Sequence, residues 1–302
     1  MEGRQGQVAI LVQQHGFTYP EVREVARKAE QLGLHSLWIW DHFFGPLGSQ
    51  RPDRKPLLEA WTTLSALAEA TSKLRLGTLV TAMSYRQPSL LAKIISCLDH
   101  ISNGRVEVGV GAGWYMREYQ AYGYTFPPAA TRIEQLREGI AIMKAMWTEP
   151  KASFKGKHFT VHEAQNDPKP VQKPHPLIWI GGWGEKLLLR AVAELADGYN
   201  TGWLSIAEYR HKLGVLRRHC ADVGRKFDAI QLSYVGNLHL QRQARKEMSE
   251  DGNFGGDPSN CVQKIRSYWA EGADLVILGL DSGDFDSMNL LSEEVLPELY
   301  KQ

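Results

Sequence analysis

The sequence predicts a single (β/α)₈ TIM barrel with insertion segments, and two features of its hydrophobic pattern indicate this fold. Eight short, β-branched or leucine-rich runs alternate with eight longer amphipathic segments along the 302 residues. This is the number of strand–helix units in a closed parallel barrel. The short runs are almost continuously apolar, as parallel strands buried on both faces are. A doubly wound open sheet is the alternative that counting alone leaves open.

The elements follow one another in regular order. The predicted strands are Val8–Gln14, Ser36–Asp41, Leu74–Val80, Val106–Gly113, Leu177–Gly182, Gly198–Gly202, Ile230–Leu238 and Leu275–Leu280. The predicted helices are Pro20–Gly33, Leu58–Lys73, Pro88–Ser102, Thr131–Glu149, Glu185–Ala196, Ala207–Gly224, Pro258–Ala273 and Met288–Tyr300. Start and stop signals support several of them, such as Pro20 and Gly33 at the two ends of the first helix.

Two segments do not fit the repeat. Residues 150–176 are rich in proline and lysine and too long for a simple connection, so they predict a functional loop with a small hairpin. Residues 241–257 are rich in charge and glycine and predict a second excursion that could serve as a mobile lid. No low-complexity tract or linker divides the chain, so residues 1–302 are expected to form one domain.

Composition excludes several classes of partner. The chain is 43% hydrophobic and 23% charged with a net charge of +1, so no bulk charge attracts nucleic acid or an anionic membrane. The three cysteines are far apart and odd in number, which fits neither a disulfide framework nor a zinc site. The first apolar run is too short to span a membrane, and no secretory cleavage signal follows it. We therefore expect a cytoplasmic protein.

The second predicted strand ends in the block LWIWDHFFGP, which places Trp40, Asp41 and His42 at the mouth of the barrel. Active sites of (β/α)₈ barrels are built from the C-terminal ends of the strands. An imidazole oriented by a carboxylate suits proton transfer near neutral pH. The alternative interpretation is that Asp41 caps the next segment and His42 is an ordinary surface residue. Both interpretations remain open at this point.

Two glycine-rich blocks follow later strands. The fourth strand ends in GVGAGW, where Gly111 and Gly113 could let the backbone approach a flat ligand. Trp114 occupies the third glycine position of G-x-G-x-x-G, so this block is not a dinucleotide fingerprint. The fifth strand ends in IGGWGE, where Gly181 and Gly182 are expected to open directly into a helix and bind a phosphate. Simple turn chemistry is the alternative for both blocks.

Further polar and aromatic residues lie near the predicted strand ends or in the segment 150–176. Thr201, at the end of the sixth strand, could add a hydroxyl to the phosphate site. His158 and His162 are four residues apart in a non-helical context, so no metal is expected there. Tryptophans near strand ends suit a planar ring system and an apolar substrate. They are Trp38, Trp40, Trp114, Trp183 and Trp203, and alternation places the first two on one face of their strand.

Four blocks resemble the luciferase-like monooxygenase superfamily, and within it the oxidoreductases that depend on coenzyme F420. They are Leu34 to Phe44, Leu74 to Pro88, Leu98 to Trp114 and Pro168 to Glu185. The resemblance extends from Val8 to Leu296 and implies a bacterial-luciferase-like barrel, usually a homodimer. It also implies a non-prolyl cis peptide at Leu79–Val80 against the back of the deazaflavin ring, which assigns Thr78, Leu79 and Val80 to the cofactor site.

The resemblance also assigns roles to residues at the strand ends. Gly181 and Gly182 match the family's phosphate-binding glycines, and Trp183 follows them. Asp41 matches a residue near the ring edge of the cofactor, and His42 matches the active-site histidine of the sugar-phosphate dehydrogenases.

The chain departs from those dehydrogenases at one position. Trp114 stands where they carry a glutamate acid, which argues against a sugar-phosphate substrate. Glu118, four residues on, is the nearest replacement for the acid. Trp38, Trp40 and Trp114 are expected to contact the substrate.

The leading functional hypothesis is hydride transfer between F420 and a small organic substrate, with His42 managing the proton. The first alternative is a monooxygenase that takes reduced FMN from a partner reductase and activates O₂. A flavin-binding barrel without catalysis would keep the glycine cradle but would not need His42. A metal-dependent hydrolase is disfavoured because no cluster of histidines and carboxylates occurs at the predicted strand ends.

Overall fold

The computed structural model describes residues 6–45, 56–242 and 252–301. Eight parallel strands form its centre. They are β1 (Gln7–Val12), β2 (Ser36–Ile39), β3 (Arg75–Thr78), β4 (Val106–Gly111), β5 (Ile178–Gly181), β6 (Gly198–Gly202), β7 (Gln231–Leu240) and β8 (Leu275–Leu280). Each strand pairs with the next, and β8 pairs with β1, so the sheet closes. The predicted barrel is confirmed, and the doubly wound alternative is excluded.

Helices connect the strands and cover the outside of the barrel. The α-helices of the described ranges are Tyr19–Gln31, Ala60–Ala70, Pro88–Ile101, Met116–Ala121, Ala129–Thr148, Leu188–Leu195, Ile206–Asp222, Pro258–Ala270, Phe285–Leu290 and Leu296–Leu299. A π-helical turn, Leu291–Val295, joins the last two, and short 3₁₀ turns occupy Met83–Tyr85 and Phe227–Ala229. Proline in the first turn and side-chain caps such as Ser205 start several helices. None of these helices is both long and apolar enough to cross a membrane.

Both predicted excursions can be compared with the structure. Residues 150–176 contain an antiparallel hairpin of Ala152–Lys155 and Thr160–Ala164, as predicted. In the segment 241–257, the strand Phe254–Gly256 pairs in parallel with the end of β7. Residues 243–251, the centre of that predicted excursion, lie outside the described residues.

Apolar side chains form two layers, one between the strands and helices and one inside the barrel. The interior cluster consists of Ala9, Leu11, Trp38, Trp40, Leu79, Trp179, Val235, Leu275 and Ile277. Trp38 and Trp40 thus share one face of their strand, as predicted. Trp38, however, is completely buried, donates to the Ser36 hydroxyl at 2.8 Å and packs edge-to-face against Trp179. Its predicted contact with substrate is wrong, because it belongs to the packed interior.

Candidate active site

His42 is held at the mouth of the barrel by a buried carboxylate. It follows β2, and its Nδ1 atom lies 2.7 Å from Oε2 of Glu118. Glu118 belongs to the short helix Met116–Ala121 after β4, so two loops meet at this contact. The Glu118 side chain is fully buried, whereas 15% of the His42 side chain is exposed. Because the carboxylate accepts at Nδ1, that atom carries the proton, and Nε2 is the atom left to meet a substrate.

Glu118 shares its two oxygen atoms among four donors. Besides His42, it accepts from the Tyr85 hydroxyl at 2.6 Å and from the N–H groups of Phe43 and Phe44 at 2.5 and 3.3 Å. Burial by itself would raise the pKa of Glu118, but the hydrogen bonds from His42, Tyr85 and Phe43 outweigh it, so the pKa is lowered. The carboxylate is therefore ionised and saturated. These contacts make Glu118 the group that positions His42, which corrects its interpretation as the replacement acid.

Asp41 is paired with Arg86 instead of His42. Its two oxygens accept from two guanidinium nitrogens at 2.6 and 3.1 Å, and Arg86 also contacts Glu59 at 2.5 Å. The Asp41 side chain has no exposed surface. Asp41 is thus not the carboxylate that orients the imidazole, because neighbouring residues in an extended segment project to opposite sides. A cofactor contact of Asp41 remains a prediction.

The segment after β3 approaches β4 and β5 closely. The peptide bond between Leu79 and Val80 is cis, as the resemblance predicts. A Cβ atom at Gly109 would lie 1.8 Å from a carbonyl oxygen of β3, and one at Gly111 or Gly181 would lie 2.8 Å from a methyl carbon of Val80. Close approach therefore requires glycine at these strand positions. Cofactor contacts of the two glycines beside Val80, and of Leu79 and Val80, remain predictions.

Two threonines assigned to the cofactor site are buried in the barrel wall. Thr78 is fully buried, and its hydroxyl donates to a carbonyl oxygen of β4 at 2.8 Å. Thr201 is 1% exposed and shares a strand face with Tyr199, which packs in the layer beneath the helices. Neither side chain lines the mouth, and both assignments are corrected accordingly. Gly113 has a φ of 78° in the turn after β4, and its cofactor contact remains a prediction.

The loop after β5 does not enter a helix directly, contrary to the prediction. The helix begins only at Leu188, after a turn. The N–H of Gly182 donates to the Asn200 carbonyl on β6 at 3.1 Å, so it is not available to a phosphate. Within the described residues, the N–H groups of Trp183 and Gly184 have no hydrogen-bond acceptor. If this loop binds an anion, those two amides are the available donors, which moves the predicted phosphate contact beyond Gly182.

Aromatic rings surround the imidazole of His42. Its ring centre lies 6.1 Å from Trp40, 5.9 Å from Trp114 and 6.1 Å from Tyr115, each in an edge-to-face arrangement. Trp40 is 8% exposed and Trp114 is 62% exposed, so they border the inner and outer sides of this region. The two tryptophans thus lie beside His42, where a substrate contact is geometrically possible. That contact remains a prediction.

Sequence interpretation missed several residues that build the mouth. Tyr85 and Arg86 lie beyond the third strand and hold Glu118 and Asp41 in place. Gln13 and Asn237 form an amide contact between the ends of β1 and β7. Strand alternation offered a signal for Asn237, two residues beyond the interior Val235. No local pattern marks Arg86, because its partners come from distant segments.

Comparisons with known proteins agree with this architecture. A family model described as luciferase-like monooxygenase matches residues 4–274. An F420-dependent glucose-6-phosphate dehydrogenase of Amycolatopsis mediterranei is 32% identical over 177 residues, 58% of this chain and 51% of that protein. An FMNH(2)-dependent dimethylsulfone monooxygenase of Pseudomonas putida is 26% identical over 228 residues, 76% of this chain and 61% of that protein. The chain thus spans less than two thirds of the length of either relative.

A solved structure has the same fold over its full length. An F420-dependent secondary alcohol dehydrogenase, determined with an F420–acetone adduct, superposes with a TM-score of 0.86 and 18% sequence identity. The alignment covers 99% of this chain and 100% of that chain. At this level of identity the likeness establishes the barrel fold alone.

Proposed function

Since the chain belongs to the luciferase-like monooxygenase family, we propose that it is an oxidoreductase that depends on F420 and transfers hydride between this deazaflavin and a small organic substrate. Both relatives compared above are named as oxidoreductases, one with F420 and one with reduced FMN. The choice between the two cofactors is therefore the central question. We favour F420 on the arrangement of His42.

The observation that carries the proposal is the His42–Glu118 contact. Hydride transfer to or from a carbonyl, imine or alcohol must be accompanied by movement of a proton. An imidazole fixed through Nδ1 by an ionised carboxylate, with Nε2 left for the ligand, is suited to hold or deliver that proton. The loop that carries His42 is fixed as well, because the N–H groups of Phe43 and Phe44 bind the same carboxylate.

The residues at the mouth fit a planar, anionic cofactor. Trp183 and Gly184 present amide donors without an acceptor in the described part of the chain. Gly111 and Gly181 leave two strand ends free of side chains beside Val80. Trp183 is 54% exposed and offers an aromatic surface near these amides. When bound, a deazaflavin supplies or accepts the hydride.

The chain's own residues then have distinct tasks. His42 exchanges a proton with the substrate through Nε2, and Glu118 keeps the imidazole in the required tautomer. Trp40 and Trp114 border this position. We also propose a homodimer and a partner enzyme that reduces the cofactor, both of which the resemblance implies.

A second candidate is an FMN-dependent monooxygenase that uses O₂ and a partner reductase. The relative from Pseudomonas putida favours it, because that alignment covers a larger share of this chain than the dehydrogenase alignment does. Both candidates use the same barrel and the same loop after β5. They differ in the need for a proton-transferring imidazole.

A binding titration tests the proposal. Purified protein is titrated with F420 and with FMN under identical conditions, and the quenching of tryptophan fluorescence is recorded. We expect F420 to bind more tightly, and the F420 complex to turn over members of a panel of enones, imines and alcohols. Equal or tighter binding of FMN, with O₂-dependent turnover of reduced FMN, would replace this proposal by the monooxygenase.

A further inference from the structure

Gln13 and Asn237 form an amide pair at the inner side of the barrel. Gln13 directly follows β1, Asn237 lies on β7, and β8 runs between them. Nε2 of Gln13 donates to Oδ1 of Asn237 at 2.7 Å, and the indole N–H of Trp203 donates to the same oxygen at 3.1 Å. A Cβ atom at Gly279 on β8 would lie 2.7 Å from the Gln13 nitrogen and 3.2 Å from the Asn237 oxygen. Glycine at this position therefore leaves the space in which the two amides meet.

The indole of Trp203 determines how both amides are turned. An indole N–H only donates, so the Asn237 atom that faces it is the amide oxygen. The Gln13 atom that meets this oxygen is consequently the amide nitrogen. The Asn237 nitrogen and the Gln13 oxygen are left over, and neither makes a hydrogen bond within the described residues. The pair thus offers one donor group beside one acceptor.

This pair lies where the interior of the barrel meets the mouth. Val235 belongs to the interior cluster, and Asn237 is two residues further along the same face of β7. Leu11 belongs to the same cluster, and Gln13 is two residues beyond it. Gln13 is 3% exposed, Asn237 is half-buried and Trp203 is 37% exposed, so exposure increases from the interior outwards.

A donor and an acceptor at the mouth that have no hydrogen-bond partner in the described part of the chain are available to a ligand. The group that satisfies both has a carbonyl oxygen next to an N–H. We propose that Asn237 and Gln13 bind the pyrimidinedione edge of the cofactor, with the Asn237 nitrogen donating to a ring carbonyl and the Gln13 oxygen accepting from the ring N–H. This assignment rests on the proposed function only in requiring a flavin or deazaflavin at the mouth, because both ring systems carry this edge.

Asn237→Asp tests the assignment with little change in shape. The aspartate keeps an oxygen for Gln13 and Trp203 but replaces the donor NH₂ by a second acceptor, which repels a ring carbonyl. Affinity is measured by fluorescence titration with F420, FMN and riboflavin. We expect all three to bind about 5-fold to 150-fold more weakly, the range for a polar group left unpaired. Riboflavin is uncharged, so its loss of affinity cannot arise from repulsion between the new carboxylate and a phosphate.

Asn253→Asp is the matched control. Asn253 Oδ1 accepts from the Asn237 backbone N–H at 3.1 Å, so an aspartate there keeps that bond and adds the same charge close by. This variant should bind riboflavin as the parent does, within about 2-fold, a difference worth less than 1 kcal/mol. Thermal unfolding of all three proteins establishes that they are folded.

Riboflavin methylated at N3 provides the second arm. The methyl group removes the N–H that Gln13 would accept, so the parent protein should bind this analogue more weakly than riboflavin. Asn237→Asp should then distinguish the two compounds less than the parent does. Unchanged affinity of folded Asn237→Asp for all cofactors would overturn the assignment. It would leave the proposed function intact, which fails separately if FMN binds the parent protein at least as tightly as F420.

Discussion

At the scale of single residues, Glu118 is the carboxylate that accepts hydrogen bonds from both side chains and backbone at the site. A carboxylate has lone pairs for about four hydrogen bonds, and Glu118 uses them on His42, Tyr85 and two backbone N–H groups. Burial and the neighbouring Glu118 carboxylate raise the pKa of Tyr85, so the phenol stays a donor. Protonating Glu118 would leave donors facing a proton, so the carboxylate is suited to hold His42 in place and not to give up a proton itself.

Glu118→Gln tests this positioning role. A glutamine has one acceptor oxygen and an NH₂ group that opposes one of the present donors, so the imidazole is no longer held as it is now. His42→Ala should lower kcat by about 10²–10⁴-fold. Glu118→Gln should lower kcat by a smaller factor than His42→Ala does, because the imidazole is kept. We expect KM for F420 to stay within about 2-fold, less than 1 kcal/mol, and the shape of the pH–rate profile to change.

The kinetics of Glu118→Gln distinguish a role in orienting His42 from a role in folding alone. A glutamine variant with parental kcat and an unchanged pH–rate profile would show that the carboxylate does not act through His42. Equal losses of kcat and cofactor affinity, with a lower melting temperature, would indicate a structural role alone.

Single residues also show what sequence interpretation can and cannot reach. His42 and Glu118 were both identified as candidates, but their contact spans 76 positions and depends on how the loop after β4 folds over the end of β2. Trp38 was misassigned because strand alternation predicts which face a side chain occupies and not its depth in the barrel. Thr201 was assigned to the cofactor site from its position at a strand end, without regard to the strand face that it shares with Tyr199.

At the scale of elements, glycines at strand ends determine how closely β3, β4 and β5 approach. The eight strands were predictable because continuous apolar runs between turn residues leave few alternatives. The six-residue helix Met116–Ala121 was not predicted, since it is too short to show a helical period. The helix after β5 was predicted from Glu185, but residues 185–187 form a turn before it begins. Turn geometry of this kind depends on tertiary contacts, such as the bond from Gly182 to β6.

Gly109→Ala should destabilise the barrel through a backbone collision. Its Cβ would lie 1.8 Å from the Thr78 carbonyl oxygen, which cannot move without separating β3 from β4. We expect the free energy of unfolding to fall by about 1–3 kcal/mol or more, as for overpacked cores. Gly214→Ala is the matched control, because Gly214 lies in the helix Ile206–Asp222 with no atom within 4 Å of its new Cβ.

The control should have the opposite sign. Alanine at Gly214 is expected to raise the free energy of unfolding by about 0.5–1 kcal/mol, since glycine is the less favourable residue within a helix. Urea unfolding followed by circular dichroism measures both variants. If Gly109→Ala proved as stable as the parent, β3 and β4 would have to lie further apart than described.

At the scale of the whole molecule, the two ends of the barrel have different chemistry. The C-terminal end carries His42 and the exposed tryptophans, whereas the N-terminal end surrounds an open cavity of about 680 Å³ lined by polar residues. There Glu107 pairs with Arg75 and accepts from the Trp179 indole at 2.7 Å. Burial raises the pKa of Glu107 above its usual range, although Arg75 opposes this effect. These contacts hold strands together at the N-terminal end of the barrel. Polar residues at that end of a (β/α)₈ fold serve stability, whereas those at the C-terminal end serve catalysis.

His35 at the same end links stability to pH. Burial, with a smaller contribution from the positive charge of Arg75, lowers the pKa of His35 to about 4. As the pH falls, His35 is therefore protonated near pH 6.5 in the unfolded chain but only near pH 4 in the folded chain. Stability from neutral His35 is fully present above pH 6.5 and is lost as the pH falls through this window. The loss attributable to His35 is on the order of 2–3 kcal/mol.

His35→Gln removes this titration and should flatten the pH dependence. The quantity compared is the change in the free energy of unfolding between pH 7 and 4.5, measured by urea unfolding, so that a difference between the proteins at pH 7 does not enter. His162→Gln is the control, because His162 is exposed on the hairpin, outside the barrel. We expect His162→Gln to lose as much stability as the parent over this range and His35→Gln to lose less. If all three proteins lost the same amount of stability, the acid sensitivity would have to come from groups other than His35. Glu118 is not such a group in this range. Its pKa is lowered in the folded protein, so its contribution to stability is lost only below about pH 4, the ordinary range of a glutamate.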